Sequence, residues 1–346
     1  MKKLTIVLTL IIVSILAFTG CDNKNDGEES KQTSNEVNNE SSNEDKKEES
    51  REVNSDTSSD KSSDTIEVVD AFGDTVTLKK NPKNVVCLYN SYLDLWYEAG
   101  GEVVGRISTK GEVPEGAEDA TIVGTMSKPD MEKIVALQPE LVIITGNHTQ
   151  SEFIDLLKQN NIPYYAVSYT NLQEFLDVYK VFTTLTAHEE LYEEKGVKIE
   201  NEIKEIIAKV PTDKKPSALV LFGTSKSVKA KLPNSQVGSM LEDLGVTNIA
   251  YDAQLSDEEM QTFSMERVVQ RAPQFVFVQT MGDVEEVKKR ISDDVESNPA
   301  WGSLDAVKNG KYYYLDKYLF LYKPNMRYAE AYRELAKLLY PEIFGE

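Results

Sequence analysis

A helix-to-strand block occurs twice in this chain, at residues 131–144 and 265–278, and shares Met, Glu, Val, Pro and Val at matching offsets. In each copy an N-cap residue, Asp130 or Ser264, precedes a short amphipathic stretch that stops at a proline and continues into four apolar residues. This pattern predicts a helix followed by a buried strand. Two copies far apart in one chain indicate two similar α/β lobes.

Helix-to-strand units are common in parallel-sheet proteins, so this similarity alone can arise by chance. A second unit, however, repeats in the same order before each block. It consists of a strand, a helix that ends at glycine and a short strand, at 85–88, 91–99 and 103–105 and again at 218–222, 238–244 and 246–249. Two units repeated in the same order favour a duplicated lobe over coincidence.

Other elements follow from hydrophobic periodicity and turn residues. The pattern predicts a hairpin of residues 66–69 and 75–78, strands at 164–167 and 311–315, and helices at 150–159, 171–185, 284–291 and 326–339.

A long amphipathic stretch at residues 189–210 lies between the two repeats, with Ile199, Ile203 and Ile206 on one stripe. As one α-helix of about 22 residues it spans roughly 33 Å. A flexible hinge is typically rich in glycine and serine, which this stretch is not. The predicted fold is therefore α/β, with two Rossmann-like lobes (65–188 and 211–346) joined by a single long rigid helix (189–210).

The N-terminus has the layout of a secretion signal, with Lys2 and Lys3 before an apolar run at 4–18 and Cys21 shortly after. The ending Phe18-Thr19-Gly20-Cys21 resembles a bacterial lipoprotein signal, in which the cysteine becomes the lipidated first residue, although phenylalanine stands where leucine is more usual. The alternative is an uncleaved anchor with an incidental cysteine. Both interpretations place the protein on the extracytoplasmic face of a membrane, and the first predicts signal peptide 1–21.

Residues 22–64 are almost entirely Ser, Asn, Glu, Asp and Lys. Such a segment buries too little apolar surface to order itself, so a disordered acidic leash is predicted. The formal net charge of -20 repels phosphate backbones and argues against nucleic-acid binding.

No catalytic motif is present: the sequence lacks a glycine-rich phosphate loop, a Gly-x-Ser-x-Gly elbow, a His-Glu-x-x-His and a Cys-x-x-Cys. The only histidines are His148 and His188, too few for a site of clustered imidazoles. Cys87 lies in an apolar run and is expected to be a buried small hydrophobe. We therefore predict a protein that is not an enzyme and has no cofactor and no resident metal.

The blocks around Glu132 and Glu266, together with the end of the chain at 323–327 and 338–344, resemble the substrate-binding proteins of ABC importers for iron-siderophores, cobalamin and haem. The resemblance covers residues 65–346. It implies a ligand held in a shallow cleft between the lobes. It also implies that one glutamate at the tip of each lobe, here Glu132 and Glu266, meets arginines of the membrane permease. A monomer that binds an iron-siderophore is expected.

Cleft residues are expected at the carboxyl ends of strands, where open α/β sheets place ligands. The candidates of the first lobe are Tyr89, Asn90, Ser91, Met126, Ser127, Lys128, Asn147 and His148; those of the second are Thr224, Ser225, Lys226, Met281, Tyr318, Phe320, Tyr322, Lys323 and Arg327. The aromatic run 318–322 offers a flat wall to a large ligand, with Arg327 or Lys323 for its negative charge.

Several alternatives remain open from the sequence. The aromatic run can instead be a core strand, and Arg327 can simply stand at a helix start. Met126 and His148 have the chemistry of axial haem ligands, so haem is an alternative ligand, as is cobalamin. An enzyme on a two-lobed scaffold and a sensor or adhesin lipoprotein are further alternatives, which a turnover assay or a protein partner would favour.

Overall fold

The computed structural model describes residues 64–109, 111–146, 151–250, 260–262 and 264–345. The predicted signal peptide with Cys21 and residues 22–63 of the predicted leash lie outside the described residues, as do Asn147 and His148. Within the described ranges, no helix is both long enough and apolar enough to cross a membrane.

The first lobe is organised on a parallel sheet. Its strands are β1 (Thr65–Val69), β2 (Thr75–Lys79), β3 (Val85–Cys87), β4 (Gly105–Arg106), β5 (Thr121–Ile122), β6 (Gly124–Thr125), β7 (Lys128–Pro129), β8 (Leu141–Thr145) and β9 (Tyr164–Val167). The parallel sheet has the order β5-β4-β3-β8-β9, whereas β1 with β2 and β6 with β7 form antiparallel hairpins. Every residue of β3, β8 and β9 is buried, which explains their continuous apolar runs.

Helices follow the strands of this lobe and lead out of it. They are α1 (Asn90–Glu98), α2 (Met131–Ala136), α3 (Ser151–Gln159) and α4 (Leu172–Thr186). The side chain of Asn171 caps α4 by accepting a hydrogen bond from the backbone N–H of Glu174, at 2.9 Å. The predicted helices at 150–159 and 171–185 are thereby confirmed to within one residue at each end.

The stretch predicted as one linking α-helix at 189–210 is helical from Glu189 to Ala208 in three parts. These are α5 (Glu189–Leu191), a π-helical segment (Tyr192–Gly196) and α6 (Val197–Ala208). A π-helix is rare and occurs mostly as a single turn inside an α-helix, with one more residue per hydrogen-bonded ring. The helical character of the stretch is confirmed, its interior departs from a regular α-helix, and its rigidity stays a prediction.

The second lobe repeats the parallel arrangement around a longer central strand. Its strands are β10 (Ser217–Thr224), β11 (Val228–Lys231), β12 (Thr247–Asn248), β13 (Met260–Thr262), β14 (Phe275–Met281) and β15 (Tyr312–Tyr314). The sheet order is β13-β11-β10-β14-β15, with β12 also paired to β10. Strands β12, β14 and β15 run parallel to their neighbours, whereas β11 and β13 are antiparallel and were not predicted.

The remaining helices are α7 (Gln236–Asp243), α8 (Met265–Arg271), α9 (Val284–Ile291), α10 (Asp305–Lys308), α11 (Lys317–Phe320), α12 (Tyr328–Leu339) and α13 (Pro341–Phe344). The predicted helix 284–291 is confirmed, and 326–339 is confirmed as a 3-10 turn followed by α12. Two short strands lie slightly away from their predicted bounds, since 103–105 is found at 105–106 and 246–249 at 247–248.

The repeated block has the same local geometry in both lobes. Helices α2 and α8 each bury one residue, Ile134 or Val268, at the same offset. Each helix is followed by a non-glycine residue at positive φ, Gln138 at 48° and Ala272 at 42°, directly before the proline. The two blocks differ at the cap: the Asp130 side chain accepts a hydrogen bond from Lys133 N–H at 3.2 Å, whereas Ser264 makes no side-chain cap.

One hydrophobic cluster extends across both lobes. It joins β3 and α1 of the first lobe to β10, β14 and α12 of the second. At its centre the ring of Phe175 on α4 stacks on Tyr328 on α12, with ring centroids 4.8 Å apart. Because protein interiors are close-packed, a shared core resists any large change in how the two lobes pack.

Candidate functional site

The carboxyl edge of the first sheet meets the second lobe through buried hydrogen bonds. Tyr169 lies just after β9, and Ser91 lies in the first turn of α1, which follows β3. Asn325 of the second lobe accepts a hydrogen bond from the Tyr169 hydroxyl at 2.6 Å and donates one to the Ser91 carbonyl at 2.7 Å. The carboxyl ends of β3 and β9 therefore lie where the two lobes approach each other.

Asn325 belongs to residues 316–327, which we call the crossing segment. Its backbone is held by two amide side chains of the second lobe, because Gln279 donates to the Phe320 carbonyl and Gln236 donates to the Tyr322 carbonyl. Asn325 itself is 4% exposed and has φ of 49°, a left-handed conformation that asparagine tolerates better than most residues. The crossing segment is thus anchored in one lobe and bonded to the other.

Lys323 of the crossing segment is also engaged with Tyr169. Its ammonium donates to the Tyr169 carbonyl and lies 4.8 Å from the centre of the Tyr169 ring. Burial raises the pKa of Tyr169 well above its ordinary value, so the phenol stays neutral. The charged group of Lys323 therefore contacts the first lobe, and its contact with a ligand's negative charge stays a prediction.

Arg327 is likewise paired with a side chain of the same chain. Its guanidinium forms a bidentate ion pair with Glu330, with Nε–Oε2 and Nη2–Oε1 distances of 2.7 and 2.8 Å. It lines a groove of about 540 Å³ beside β15, together with Glu330 and Glu334. This acidic groove is an unsuitable wall for an anionic ligand. Arg327 is the N-cap residue of α12, in agreement with the alternative that it stands at a helix start.

The aromatic run was predicted as a flat wall or, alternatively, as half core strand; part of it does lie in the core, but in a helix and not in a strand. Residues 317–320 form α11, because the Asp316 side chain accepts hydrogen bonds from Tyr318 N–H at 2.8 Å and Leu319 N–H at 3.2 Å. Phe320 is 4% exposed and packs in the core, so its assignment to the ligand surface is wrong. Tyr318 and Tyr322 are 56% and 46% exposed, with ring centroids 5.8 Å apart, and remain candidates.

In the first lobe, Tyr89 and Asn90 lie at the junction of β3 and α1. The Tyr89 ring packs on Tyr92 at 4.6 Å between centroids. The side-chain oxygen of Asn90 is buried and accepts no hydrogen bond from the described part of the protein. An unpaired buried acceptor is costly, so a ligand or water donor at this position would stabilise the fold.

Met126 and Ser127 form the turn between β6 and β7, Lys128 is the first residue of β7, and all three candidates are exposed. The Thr125 hydroxyl accepts a hydrogen bond from Lys128 N–H at 3.1 Å and lies 3.3 Å from the Ser127 hydroxyl. Gly124 begins this hairpin with φ of 105°, and a Cβ there would lie 2.5 Å from the Lys128 carbonyl oxygen. Only glycine allows the two strands to approach this closely.

The second-lobe candidates Thr224, Ser225 and Lys226 form a comparable turn between β10 and β11. The Thr224 hydroxyl accepts hydrogen bonds from the N–H groups of Lys226 and Ser227, at 3.2 and 3.1 Å. Exposed Met281 ends the neighbouring strand β14, which pairs with β10 in register up to Thr224. These residues therefore lie together at the carboxyl edge of the second sheet.

Glu132 and Glu266 lie in the first turns of α2 and α8 and are both exposed. Neither carboxylate makes a hydrogen bond or ion pair with a described residue. Three residues further along each helix stands an exposed valine, Val135 or Val269, and both are 40% exposed. Each lobe therefore presents an unpaired acid beside an apolar side chain at the same point of the repeated block.

No cluster of three or more His, Cys, Asp or Glu side chains suited to a metal ion occurs among the described residues. Cys87 is buried as expected, and burial raises the pKa of its thiol to about 12, which makes it unreactive at neutral pH. Sequence reasoning missed Tyr169, Gln236 and Gln279. Of these, Gln279 alone left a signal, since it is a polar residue directly after the apolar run of β14.

A protein-family model described as periplasmic binding protein matches residues 85–319, which is most of the described chain. The protein belongs to the periplasmic binding protein family. The resemblance inferred from the two repeated blocks is thereby confirmed. The two-lobed α/β architecture with parallel sheets is that of periplasmic binding proteins of known structure.

Two relatives of this periplasmic binding protein come from Bacillus subtilis (strain 168). The Fe(3+)-citrate-binding protein YfmC is 26% identical over 246 residues, which cover 70% of this chain and 75% of YfmC. The uncharacterized ABC transporter substrate-binding lipoprotein YvrC is 24% identical over 359 residues and is matched along the full length of both chains. Both relatives are named as binding proteins and not as enzymes.

Among solved structures, the complex of Staphylococcus aureus IsdE with heme superimposes with a TM-score of 0.66 at 20% identity. The match covers 74% of this chain and 98% of that one. At this identity the superposition establishes the fold alone.

Proposed function

We propose that this periplasmic binding protein is the substrate-binding component of an ABC importer and captures a ferric chelate in the cleft between its lobes. The observation that carries the proposal is the lobe interface, where Asn325 of the second lobe donates a hydrogen bond to the Ser91 carbonyl just after the carboxyl end of β3. The similarity to an Fe(3+)-citrate-binding protein supports iron as the cargo.

A ligand panel tests this proposal. The full chain in detergent would be titrated with ferric citrate, a ferric tris-catecholate, a ferric hydroxamate, haem and cobalamin, with intrinsic fluorescence and thermal unfolding as readouts. A bound ligand raises the unfolding temperature because it binds the folded state alone. We expect a ferric chelate to give saturable stabilisation and the iron-free chelator to give none. If only haem or cobalamin stabilises the protein, that molecule and not a ferric chelate is its ligand. If no compound of the panel changes the fluorescence or the unfolding temperature, the binding function is refuted.

Delivery to a permease is the second part of the proposal, and Glu132 and Glu266 are its contacts. A carboxylate near a helix N-terminus is stabilised by the helix dipole by about 0.3 to 1 kcal/mol, so a local role accounts for either residue alone. It does not account for the exposed valine beside each acid at the same offset. An unpaired acid next to an apolar side chain, presented once by each lobe, fits a two-subunit channel whose surface offers cations beside apolar residues.

The tether completes the proposal. Lipidation at Cys21 would hold the protein at the extracytoplasmic face of the cell membrane, and residues 22–64 would provide the reach between the lipid and the folded lobes. The name of the relative YvrC, a substrate-binding lipoprotein matched over its full length, supports this arrangement.

A further inference from the structure

A pocket of about 400 Å³ lies at the amino edge of the second sheet, and its lining differs in charge from the chain as a whole. Lys214, Lys215 and Lys311 line it together with one acid, Glu342, although the chain carries a formal net charge of -20. Lys214 forms an ion pair with Glu342, and its hydrogen bond holds the pKa of that carboxyl below the ordinary value. Lys215 and Lys311 therefore remain as net positive charge around the pocket.

These two lysines are exposed, and neither ammonium group forms a hydrogen bond or ion pair with a described residue. The ammonium of Lys311 lies 4.5 Å from the centre of the Phe275 ring, and the face of an aromatic ring attracts a cation. This contact holds the Lys311 charge at the pocket. Since like charges around one cavity repel each other, an anion bound between the lysines would relieve that repulsion.

One wall of the pocket is aromatic. Phe275 and Tyr313 both line it, and each ring stacks on Phe277, with centroids 6.1 and 5.9 Å apart. Phe275 and Phe277 lie two residues apart on β14, and Tyr313 of β15 pairs with Phe277 in register, so the three rings share one face of the sheet. A flat apolar ligand can pack on such a surface while its charged group reaches the lysines.

Two prolines and a hydrogen bond fix further walls of the pocket. Pro216 directly precedes β10 and Pro341 is the first residue of α13, and the ring of a proline restricts its backbone φ. The hydroxyl of Tyr340, between α12 and α13, donates a hydrogen bond to the Leu244 carbonyl at 2.7 Å. The pocket is thus formed without a ligand, and its volume lies in the usual range for small-molecule sites.

The pocket is separate from the candidate cleft. Phe275 is the first residue of β14 and Lys311 directly precedes β15, whereas the cleft candidates Thr224 and Met281 end β10 and β14. Strand β14 has seven residues, and its two ends lie roughly 20 Å apart at 3.3 Å per residue. A small ligand in the pocket therefore contacts other residues than a ligand in the cleft.

We propose that this pocket is a second binding site, which takes a small aromatic carboxylate. The ring of the ligand packs against the Phe275 and Tyr313 side chains, and its carboxylate accepts hydrogen bonds from the ammonium groups of Lys215 and Lys311. Such a site goes beyond the proposed function, because it requires neither a ferric chelate nor a permease.

The test uses 2-naphthoate as the probe, on the full chain in detergent, with a micelle blank that contains no protein. Acetate and inorganic phosphate serve as anions without a ring, and 2-naphthylmethylamine places a cation on the same ring. Binding is measured by ligand-observed NMR titration for the wild type, Lys215→Gln, Lys311→Gln and the double variant. A matched control, Lys198→Gln with Lys229→Gln, removes two exposed lysines of α6 and β11 that do not line the pocket.

We expect the wild type to bind 2-naphthoate with a Kd of about 1 mM, which is typical of so small a ligand. Each single variant should weaken binding about threefold and the double variant about tenfold, since exposed ion pairs are modest and separate contacts add. The control should stay within about twofold of the wild type. Acetate, phosphate and the amine should bind at least about tenfold more weakly than 2-naphthoate, because each lacks either the ring or the negative charge. Unfolding temperatures should not change, since both lysines are exposed.

Equal binding of acetate or phosphate would show an anion site that does not recognise a ring, and unchanged binding in the double variant would place 2-naphthoate elsewhere on the protein. Either result overturns the second site, as does a wild type that does not bind 2-naphthoate. These outcomes do not depend on whether the cleft binds a ferric chelate, so failure of the second site is distinguishable from failure of the proposed function.

Discussion

Replacement of Asn325 by alanine gives a quantitative test of the bond between the lobes. The variant removes the acceptor of the Tyr169 hydroxyl and the donor to the Ser91 carbonyl, at 2.6 and 2.7 Å. Each hydrogen bond contributes about 0.5 to 1.5 kcal/mol to stability. Alanine at a φ of 49° adds about 1 kcal/mol of backbone strain relative to asparagine. Together these effects predict a loss of about 2 to 4 kcal/mol in the free energy of unfolding.

The assay is urea unfolding of the full chain, with Tyr169→Phe as the matched partner variant. Tyr169→Phe removes one hydroxyl from a buried ring and should cost about 1 kcal/mol or somewhat more, because the Asn325 oxygen is then left unpaired. In a double-mutant cycle the two variants should be coupled by about 0.5 to 1.5 kcal/mol. A loss below about 0.5 kcal/mol in Asn325→Ala, or no coupling to Tyr169→Phe, would show that the lobes are held by the apolar core alone.

Four further predictions test the remaining inferences. Glu132→Lys with Glu266→Lys should abolish uptake by cells and binding to the permease, at a cost of about 2 to 5 kcal/mol of docking energy, while ligand affinity measured on the purified protein stays nearly intact; an equal loss of affinity would assign the acids to the cleft. Cys21→Ala should yield an unlipidated, mislocalised protein, which fractionation and mass measurement would detect; the same unlipidated species for both forms, apart from the mass of the substitution itself, would exclude lipidation. The Cys87 thiol, with its pKa raised to about 12, should resist alkylation at pH 8 until the protein unfolds, and rapid labelling of the native protein would contradict its burial. Saturating ferric chelate should change the X-ray scattering curve little, because the lobes share one core; a clear compaction would refute the expectation of limited closure.

The elements with strong periodicity were predictable from the sequence. Strands β8 and β9 and helices α4 and α9 carry continuous apolar runs or clear helical stripes bounded by Asn, Asp or Pro, and the structure has them within a residue or two of the prediction. Strands β11 and β13 were not predicted because they are three or four residues long and partly polar. Strand β11 pairs with β10 and β13 pairs with β11, and these tertiary contacts leave no local pattern.

The candidate site was less predictable for a related reason. The run from Tyr318 to Tyr322 alternates aromatic residues with leucine, a pattern that fits a strand. The signal that decides for a helix is the side chain of Asp316 just before the run, which caps it. Once the run is helical, Phe320 turns into the core and Tyr318 and Tyr322 stay outside. The engagement of Lys323 with Tyr169 joins residues far apart in the chain, so no sequence pattern could reveal it.

Some features occur in both lobes, whereas others occur in one lobe only. The outward helices α2 and α8 keep the acid, the buried residue and the exposed valine at equal offsets, as expected if both meet equivalent halves of one partner. The crossing segment lies in the second lobe only, where it supplies Asn325 to bond the lobes. Under the proposed function, a repeated outer face would preserve docking symmetry, whereas an unrepeated inner face would let the cleft fit an asymmetric ligand. Substitutions in the crossing segment should therefore alter lobe packing and ligand affinity without altering permease docking.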